Sequence, residues 1–251
     1  MQRQELLSYL DGLLKPWQLK DYAPNGLQVE GRDEIHTIVT AVTADQRVLD
    51  KAVELGADCV LVHHGYFWKS EPAVITGMKQ RRLKALLCND INLIGYHLPL
   101  DVHPELGNNA QLARLLRISN VRPLHEGNDT DLVLRGEFET AMSGAELAEY
   151  LGHKLGRQPL HIAGHNRPIK TLAWCSGGAQ DYLDEVASFG LDAFISGEVS
   201  ERTYHSAVEQ GIDYFAAGHH ATERGGIQAL GDHLASKFFL DVHFVDTPNP
   251  V

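Results

Sequence analysis

Residues 35–65 read IHTIVTAVTADQRVLDKAVELGADCVLVHHG, and the order of patterns within them decides the fold. The β-branched run 35–44 predicts a strand. Asp45 is placed to cap a helix whose apolar residues are Val48, Leu49, Ala52, Val53 and Leu55, and Gly56 ends it. The continuous apolar run 59–62 then predicts a second, buried strand. The stretch is therefore a strand, helix, strand unit of an α/β fold. It delivers His63 and His64 to the carboxyl end of the second strand, where Gly65 lets that strand stop.

The same pattern recurs 134 residues later. Residues 35–62 lie without gaps on IKTLAWCSGGAQDYLDEVASFGLDAFIS, 169–196, matching Ile35 to Ile169, Thr37 to Thr171, Leu49 to Leu183, Gly56 to Gly190 and Asp58 to Asp192. Two copies of one βαβ-containing module are expected. His63 and His64 fall on Gly197 and Glu198, so the repeat keeps the scaffold and drops the imidazoles. The pair therefore serves something other than the fold.

Around these units, Leu6, Leu7, Leu10, Leu13 and Leu14 stand at helical spacing before Pro16. A helix is predicted over 77–89, a strand over 91–97 and a helix over 105–117. The polar segment 119–131 reads as the loop out of the first half. Beyond it come a strand at 132–139, a helix opened by the Ser143/Glu146 capping box, a helix at about 199–209, a strand at 213–218, a long helix from His219 and a closing strand at 240–245. The division expected is 1–130, carrying His63, His64 and Asp101, and 131–251, carrying His219 and Glu223.

Apolar residues make up 43% of the 251, enough for a substantial core, and 33 acidic against 22 basic side chains leave a net charge of −11. Such a surface repels polyanions, so nucleic acid is not the expected partner. Cys59, Cys88 and Cys175 form no C-x-x-C pair, which argues against a disulfide framework and a thiolate zinc site and suits a reducing cytoplasm. No apolar stretch approaches the roughly 20 residues of a membrane span.

Three motifs carry polar chemistry. The adjacent His63 and His64 can diverge toward two ions at a strand end, although an isolated pair is more often two polar loop residues. In GYHLPLD, 95–101, the Asp101 carboxylate can bridge cations and His97 stands four residues earlier; a capped turn would want the same proline and aspartate. In GHHATER, 218–224, His219 and Glu223 share one face of a helix start, and His220 points about 100° away. A surface pair near a helix N-terminus is the plain alternative. All three motifs fall at carboxyl ends of predicted strands, where open α/β sheets place ligands. A nitrogen and oxygen donor set without sulfur suits Fe, Mn, Zn, Ni or Co.

LVHHG, GYHLPLD and GHHATER in this order resemble the Nif-three-like family, dinuclear-metal proteins catalogued as GTP cyclohydrolase I type 2 homologues. The resemblance runs from the first helix to the last strand. It implies a duplicated α/β Nif-three-like fold, two divalent ions per subunit held by His63, His64, Asp101, His219 and Glu223, with Asp101 as the bridge, and a ring-shaped homohexamer. ISGEVSERTYH, 195–205, also resembles the family pattern and places Glu198 and His205 as lining residues at most.

Two functions follow as expectations. The first is a metal-dependent hydrolase acting on a nucleotide-like or other small substrate, with His97 as general acid or base. The second is a non-catalytic ring that uses its metals as a regulator or scaffold. Tyr66, Phe67 and Trp68 read either as a stacking wall or, preferably, as a subunit contact. The Lys79, Arg81, Arg82 and Lys84 run reads as a solvated helix face.

Overall fold

The computed structural model describes all 251 residues. The chain divides into two compact units, one made of Met1–Gly107 with Gly226–Pro248 and one of Asn108–Gly225 with Asn249–Val251. In chain order the first unit contains α1 (Arg3–Leu14), β1 (Gly26–Val29), β2 (Thr37–Thr43), α2 (Gln46–Glu54), β3 (Cys59–His64), α3 (Gly77–Leu87), β4 (Asn92–Gly95) and α4 (Leu98–Val102). The second contains α5 (Asn108–Leu115), β5 (Ser119–Pro123), β6 (Leu134–Met142), α6 (Gly144–Leu155), β7 (Leu160–Ile162), β8 (Ile169–Trp174), α7 (Leu183–Ser188), β9 (Ala193–Ser196), α8 (Glu201–Gln210) and β10 (Asp213–Ala216). Helix α9 (His219–Phe238) starts in the second unit and finishes in the first, which β11 (Asp241–Phe244) completes.

The first sheet has the order β1-β4-β3-β2-β11, parallel except for the antiparallel edge β1. Its two faces are covered by separate apolar clusters. One joins Leu6, Leu10 and Leu14 of α1 to Ile38, Leu61 and Ile94 and to Ile227, Leu230 and Leu234 of α9. The other packs Val48, Leu49 and Ala52 of α2 against Val39, Val60 and Leu93. Alternate residues of each strand thus enter opposite cores, as the continuous apolar runs require. Asp45 caps α2 through Val48 N and Gly56 turns the chain at φ 63°. Val53 is the one residue of the predicted apolar set that stays substantially exposed, at 39%.

The second sheet has the order β5-β6-β8-β9-β10-β7, with β8, β9 and β10 parallel. The duplicated architecture is matched pair for pair. Ile38 faces Cys59 in the first sheet and Leu172 faces Ala193 in the second, each pair offset by 134. Asp58 Oδ2 accepts from the amides of His36 and Thr37, at 2.8 and 2.9 Å, and Asp192 Oδ2 from those of Lys170 and Thr171, at 3.1 and 2.9 Å. The repeat also reaches beyond the segment legible in the sequence. The antiparallel edges β1 and β7 correspond, and each is followed by a glycine, Gly31 or Gly164, whose amide donates to the first residue of the neighbouring strand, Asn92 or Asp213.

Three strands escape the sequence patterns, and one segment expected to be loop is among them. Within 119–131, residues Ser119–Pro123 form β5, an edge strand with four of five residues exposed, so no apolar alternation marks it. Strands β1 and β7 have only four and three residues. The compact units also part at Gly107/Asn108 rather than at residue 130. The physical reason is that β5 pairs with β6 and that Leu112, Ala113 and Leu116 join the core around Trp174, whereas the end of α9 packs with α1.

The Asp192 carboxylate also accepts from Thr171 Oγ1 at 2.8 Å. Replacing Asp192 by Ala removes the acceptor of three donors, and we expect a loss of about 2 kcal/mol of stability, read as a lowered urea midpoint with unchanged slope. A change within the ±0.5 kcal/mol of ordinary surface substitutions would mean that water replaces the carboxylate.

Candidate metal centre

In the first unit, β3 carries His63 and His64 to its final positions. His63 is 1% exposed, and its Nδ1 donates to Tyr96 O at 3.1 Å, which leaves the Nε2 lone pair 3.5 Å from Asp101 Oδ1. His64 places Nδ1 3.2 Å from Thr43 Oγ1, on the last residue of β2. Regular alternation would send adjacent side chains to opposite faces. At the end of β3 it does not: the two rings lie 4.5 Å apart, tilted by 37°. Gly65 does more than end the strand. A Cβ there would stand 2.0 Å from Gln28 Oε1, the atom that accepts from Tyr66 N.

The GYHLPLD segment is not a strand to its end. Strand β4 stops at Gly95, and His97 precedes the short helix α4, which holds Asp101, 6% exposed. His97 Nδ1 lies 2.9 Å from Asp21 Oδ1. Burial alone would raise the Asp21 carboxyl, but hydrogen bonds from His97 and Asn25 hold it well below the usual carboxylate range. One donor atom from each of His63, His64 and His97 lies within 4.8 Å of the other two. The aromatic run divides. Tyr66 is a core residue bonded to Ala44 O, Phe67 is partly exposed, and Trp68 leans edge-on to His97 at 4.9 Å and lies 5.9 Å from His64. Tyr22, which the sequence did not single out, stands 5.2 Å from the His97 ring. Lys79, from the basic run, is bonded to Glu71 at 3.3 Å.

In the second unit, His219 and Glu223 open α9 with Nε2 and Oε1 3.2 Å apart. His219 Nδ1 contacts Glu198 Oε1 at 2.6 Å. Burial opposes the charged imidazole, but Glu223 and Glu198 overcome it and raise the His219 pKa to about 9. Glu198 thus has a part that the sequence underrated. It occupies the position equivalent to His64 in the repeat, so both copies carry a polar side chain there. Glu223 is 3% exposed. Gly177, at φ 66°, lies against this pair, since a Cβ on it would meet Glu223 Oε1 at 2.2 Å. His220 is buried, and its amide donates to Val251 O at 3.1 Å. His205 stays exposed and bonds Glu201 one turn earlier on α8.

The sequence of residues 1–250 matches the family model described as Duf34/NIF3 (NGG1p interacting factor 3). The chain belongs to this family. A protein of Escherichia coli (strain K12) named "GTP cyclohydrolase 1 type 2 homolog" is 56% identical over 252 residues, covering 100% of both chains. One of the same name from Pseudomonas aeruginosa is 54% identical, covering 98% of this chain and 97% of that one. Among solved structures, one described as protein ybgI, of unknown function, superposes with a TM-score of 0.96 at 55% identity over 100% of each chain. A crystal structure of a Thermus thermophilus protein gives 0.90 at 35% identity over the same coverage. The fold of this Duf34/NIF3 chain is accordingly the duplicated α/β arrangement implied by its three motifs. Its His, Asp and Glu groups can hold a metal ion through nitrogen and carboxylate oxygen donors. No helix is long and apolar enough to cross a membrane.

Proposed function

We propose that the protein is a dinuclear divalent-metal hydrolase with the ligand set His63, His64, Asp101, His219 and Glu223 that the family resemblance implies, with Asp101 as the bridge. One observation carries this reading. Each of the three histidines has Nδ1 engaged by an oxygen, from Tyr96 O, Thr43 Oγ1 and Glu198 Oε1 respectively. Metal-binding imidazoles are oriented in this way, by a hydrogen bond on the nitrogen that faces away from the ion.

Bound ions of Fe, Mn, Zn, Ni or Co would supply Lewis acidity and lower the pKa of a coordinated water. The chain's part is to hold donors rigidly. Tyr96 O fixes the His63 ring, the buried Asp101 supplies charge without mobility, and Glu198 holds His219 at the start of α9. Trp68 and Tyr22 stand beside His97, with Trp68 also near His64, and pack against these rings. The names of the relatives extend the reading to a nucleotide-like substrate, alongside phosphodiesters and small amides.

The test is metal-dependent turnover of protein loaded with Mn, Fe or Zn against these three substrate classes. We expect turnover that falls at least about a hundredfold in His63→Ala and Asp101→Ala while circular dichroism and light scattering stay as in the wild type. No turnover with any metal, together with an unchanged assembly in both variants, would replace the hydrolase by a non-catalytic metal-binding ring.

A further inference from the structure

We infer that Arg157 is an anion receptor beside the second unit's candidate ligands, and that the molecule it selects carries a phosphoryl group. The inference rests on the hydrolase reading above and deepens it by naming the substrate class and the residue that recognises it.

Arg157 lies between α6, which Gly156 ends at φ 75°, and β7. Leu160, the first residue of β7, pairs antiparallel with Ala216, the last of β10, so the segment before β7 emerges at the carboxyl end of β10. There the guanidinium rests on Gly218. A Cβ on that glycine would stand 2.5 Å from Arg157 Nη1, 2.6 Å from its Cδ and 3.0 Å from its Cζ. Gly218 has φ 103°, a conformation that favours glycine, and it directly precedes His219, where α9 begins. Bare backbone thus seats the guanidinium one residue from a candidate metal ligand, at a strand end where open sheets place their ligands.

The seat leaves the cation short of a counterpart. Arg157 Nη1 is buried and has no hydrogen-bond acceptor. Elsewhere this acid-rich chain supplies carboxylates to its arginines: Asp58 to Arg32, Asp45 to Arg47 and Asp181 to Arg202. The second unit's Glu198 and Glu223 are instead engaged with His219. The dipole of α6 favours a cation just past its C-terminus. That accounts for an arginine at this position, but not for a buried N–H without an acceptor, which is costly.

The planar fork of arginine matches the oxygens of a phosphate or a carboxylate. A phosphoryl group suits this place better. Its oxygens diverge tetrahedrally, so two can meet the fork while a third remains for the centre, whereas a carboxylate has only two. Arg157 therefore selects the phosphodiesters and nucleotide-like molecules over the small amides.

The test uses the full-length protein loaded with Zn(II) and inorganic phosphate as the probe, followed by calorimetry and phosphorus NMR, with thermal unfolding as the check on structure. Wild type should bind phosphate more tightly than acetate. Arg157→Ala should bind phosphate about ten- to a hundredfold more weakly, through the loss of charge-assisted hydrogen bonds, with an unchanged unfolding midpoint. Arg157→Lys keeps the charge without the fork and should fall between. Absence of phosphate binding in the wild type overturns the inference without any variant having to fold. So does an Arg157→Ala protein with wild-type phosphate affinity, and so does acetate bound as tightly as phosphate, which moves the class to carboxylates. Arg157-dependent phosphate binding without turnover of any substrate leaves the receptor standing and removes the hydrolase.

Discussion

Metal uptake by the purified protein is expected to release close to one proton between pH 7 and pH 8.5, and affinity to fall about tenfold for each pH unit below about 9. The group responsible is His219. Its imidazole lies between Glu198 on Nδ1 and Glu223 on Nε2, and this pair of carboxylates raises its pKa to about 9 against the opposing effect of burial. At neutral pH both nitrogens of the metal-free protein carry protons, so Nε2 has no lone pair until the ion displaces one. A histidine at the ordinary value near 6.5 would impose this dependence only below that value. Calorimetry of Zn or Co binding in two buffers of different ionisation enthalpy reads the proton directly. In His219→Gln the release at pH 8 should vanish. A wild-type release near zero at that pH would show that the ion does not bind through this nitrogen.

The same pair gives the metal-free protein a pH-dependent stability of known sign. A folded-state pKa above the unfolded value of about 6.5 stabilises the fold fully below that value, and the contribution is lost as pH rises through about 9. Metal-free protein should therefore become less stable across that interval. Metal binding strengthens over the same interval and offsets the loss. The opposed slopes distinguish an ion pair standing in for the metal from a purely structural salt bridge, which would weaken with or without the metal.

How far such features are legible in sequence depends on whether they leave a period. The βαβ modules do, because continuous apolar strands and the capping of α2 by Asp45 follow local rules, and the 134-residue offset exposes the duplication without any structure. His63, His64, Asp101, His219 and Glu223 stand out as candidate donors because they lie in compact motifs at predicted strand ends. Asp21 is not. It sits in DYAPN, 21–25, a polar loop with no pattern, and meets His97, 76 positions away, only because that loop and the start of α4 are tied together by hydrogen bonds. Glu198 was visible as the partner of His64 in the repeat, yet its contact with His219 depends on how β9 ends beside the start of α9. Strands β5 and β7 are edge strands too short or too exposed to alternate.

Gly177→Ala should displace the Glu223 carboxylate beside His219 and weaken metal binding while leaving the fold in place. Gly177 follows Ser176, whose amide bonds Asn109 Oδ1, and its own N–H donates to Thr222 Oγ1 at 3.0 Å while its carbonyl accepts from Gly197 N at 2.8 Å. The backbone is thereby fixed at φ 66°, against α9. A methyl group there would lie 2.2 Å from Glu223 Oε1 and 3.1 Å from His219 Nε2. The left-handed conformation costs a non-glycine residue about 1–2 kcal/mol, a modest loss for a domain of ordinary stability. The larger effect is local. The Glu223 carboxylate must leave its place, and with 3% exposure it has no solvent to swing into. We expect about a hundredfold weaker metal binding, the magnitude associated with displaced groups around a metal, and a smaller proton release at pH 8, because His219 loses one of the two carboxylates that hold its proton. Gly178→Ala is the control: a Cβ there meets Glu198 atoms no closer than 3.6 Å, ordinary van der Waals contact, and binding should hold. If the two alanine variants bind metal equally well, Glu223 is free to rearrange, and the tight fit between the Gly177 turn and α9 has no bearing on the centre.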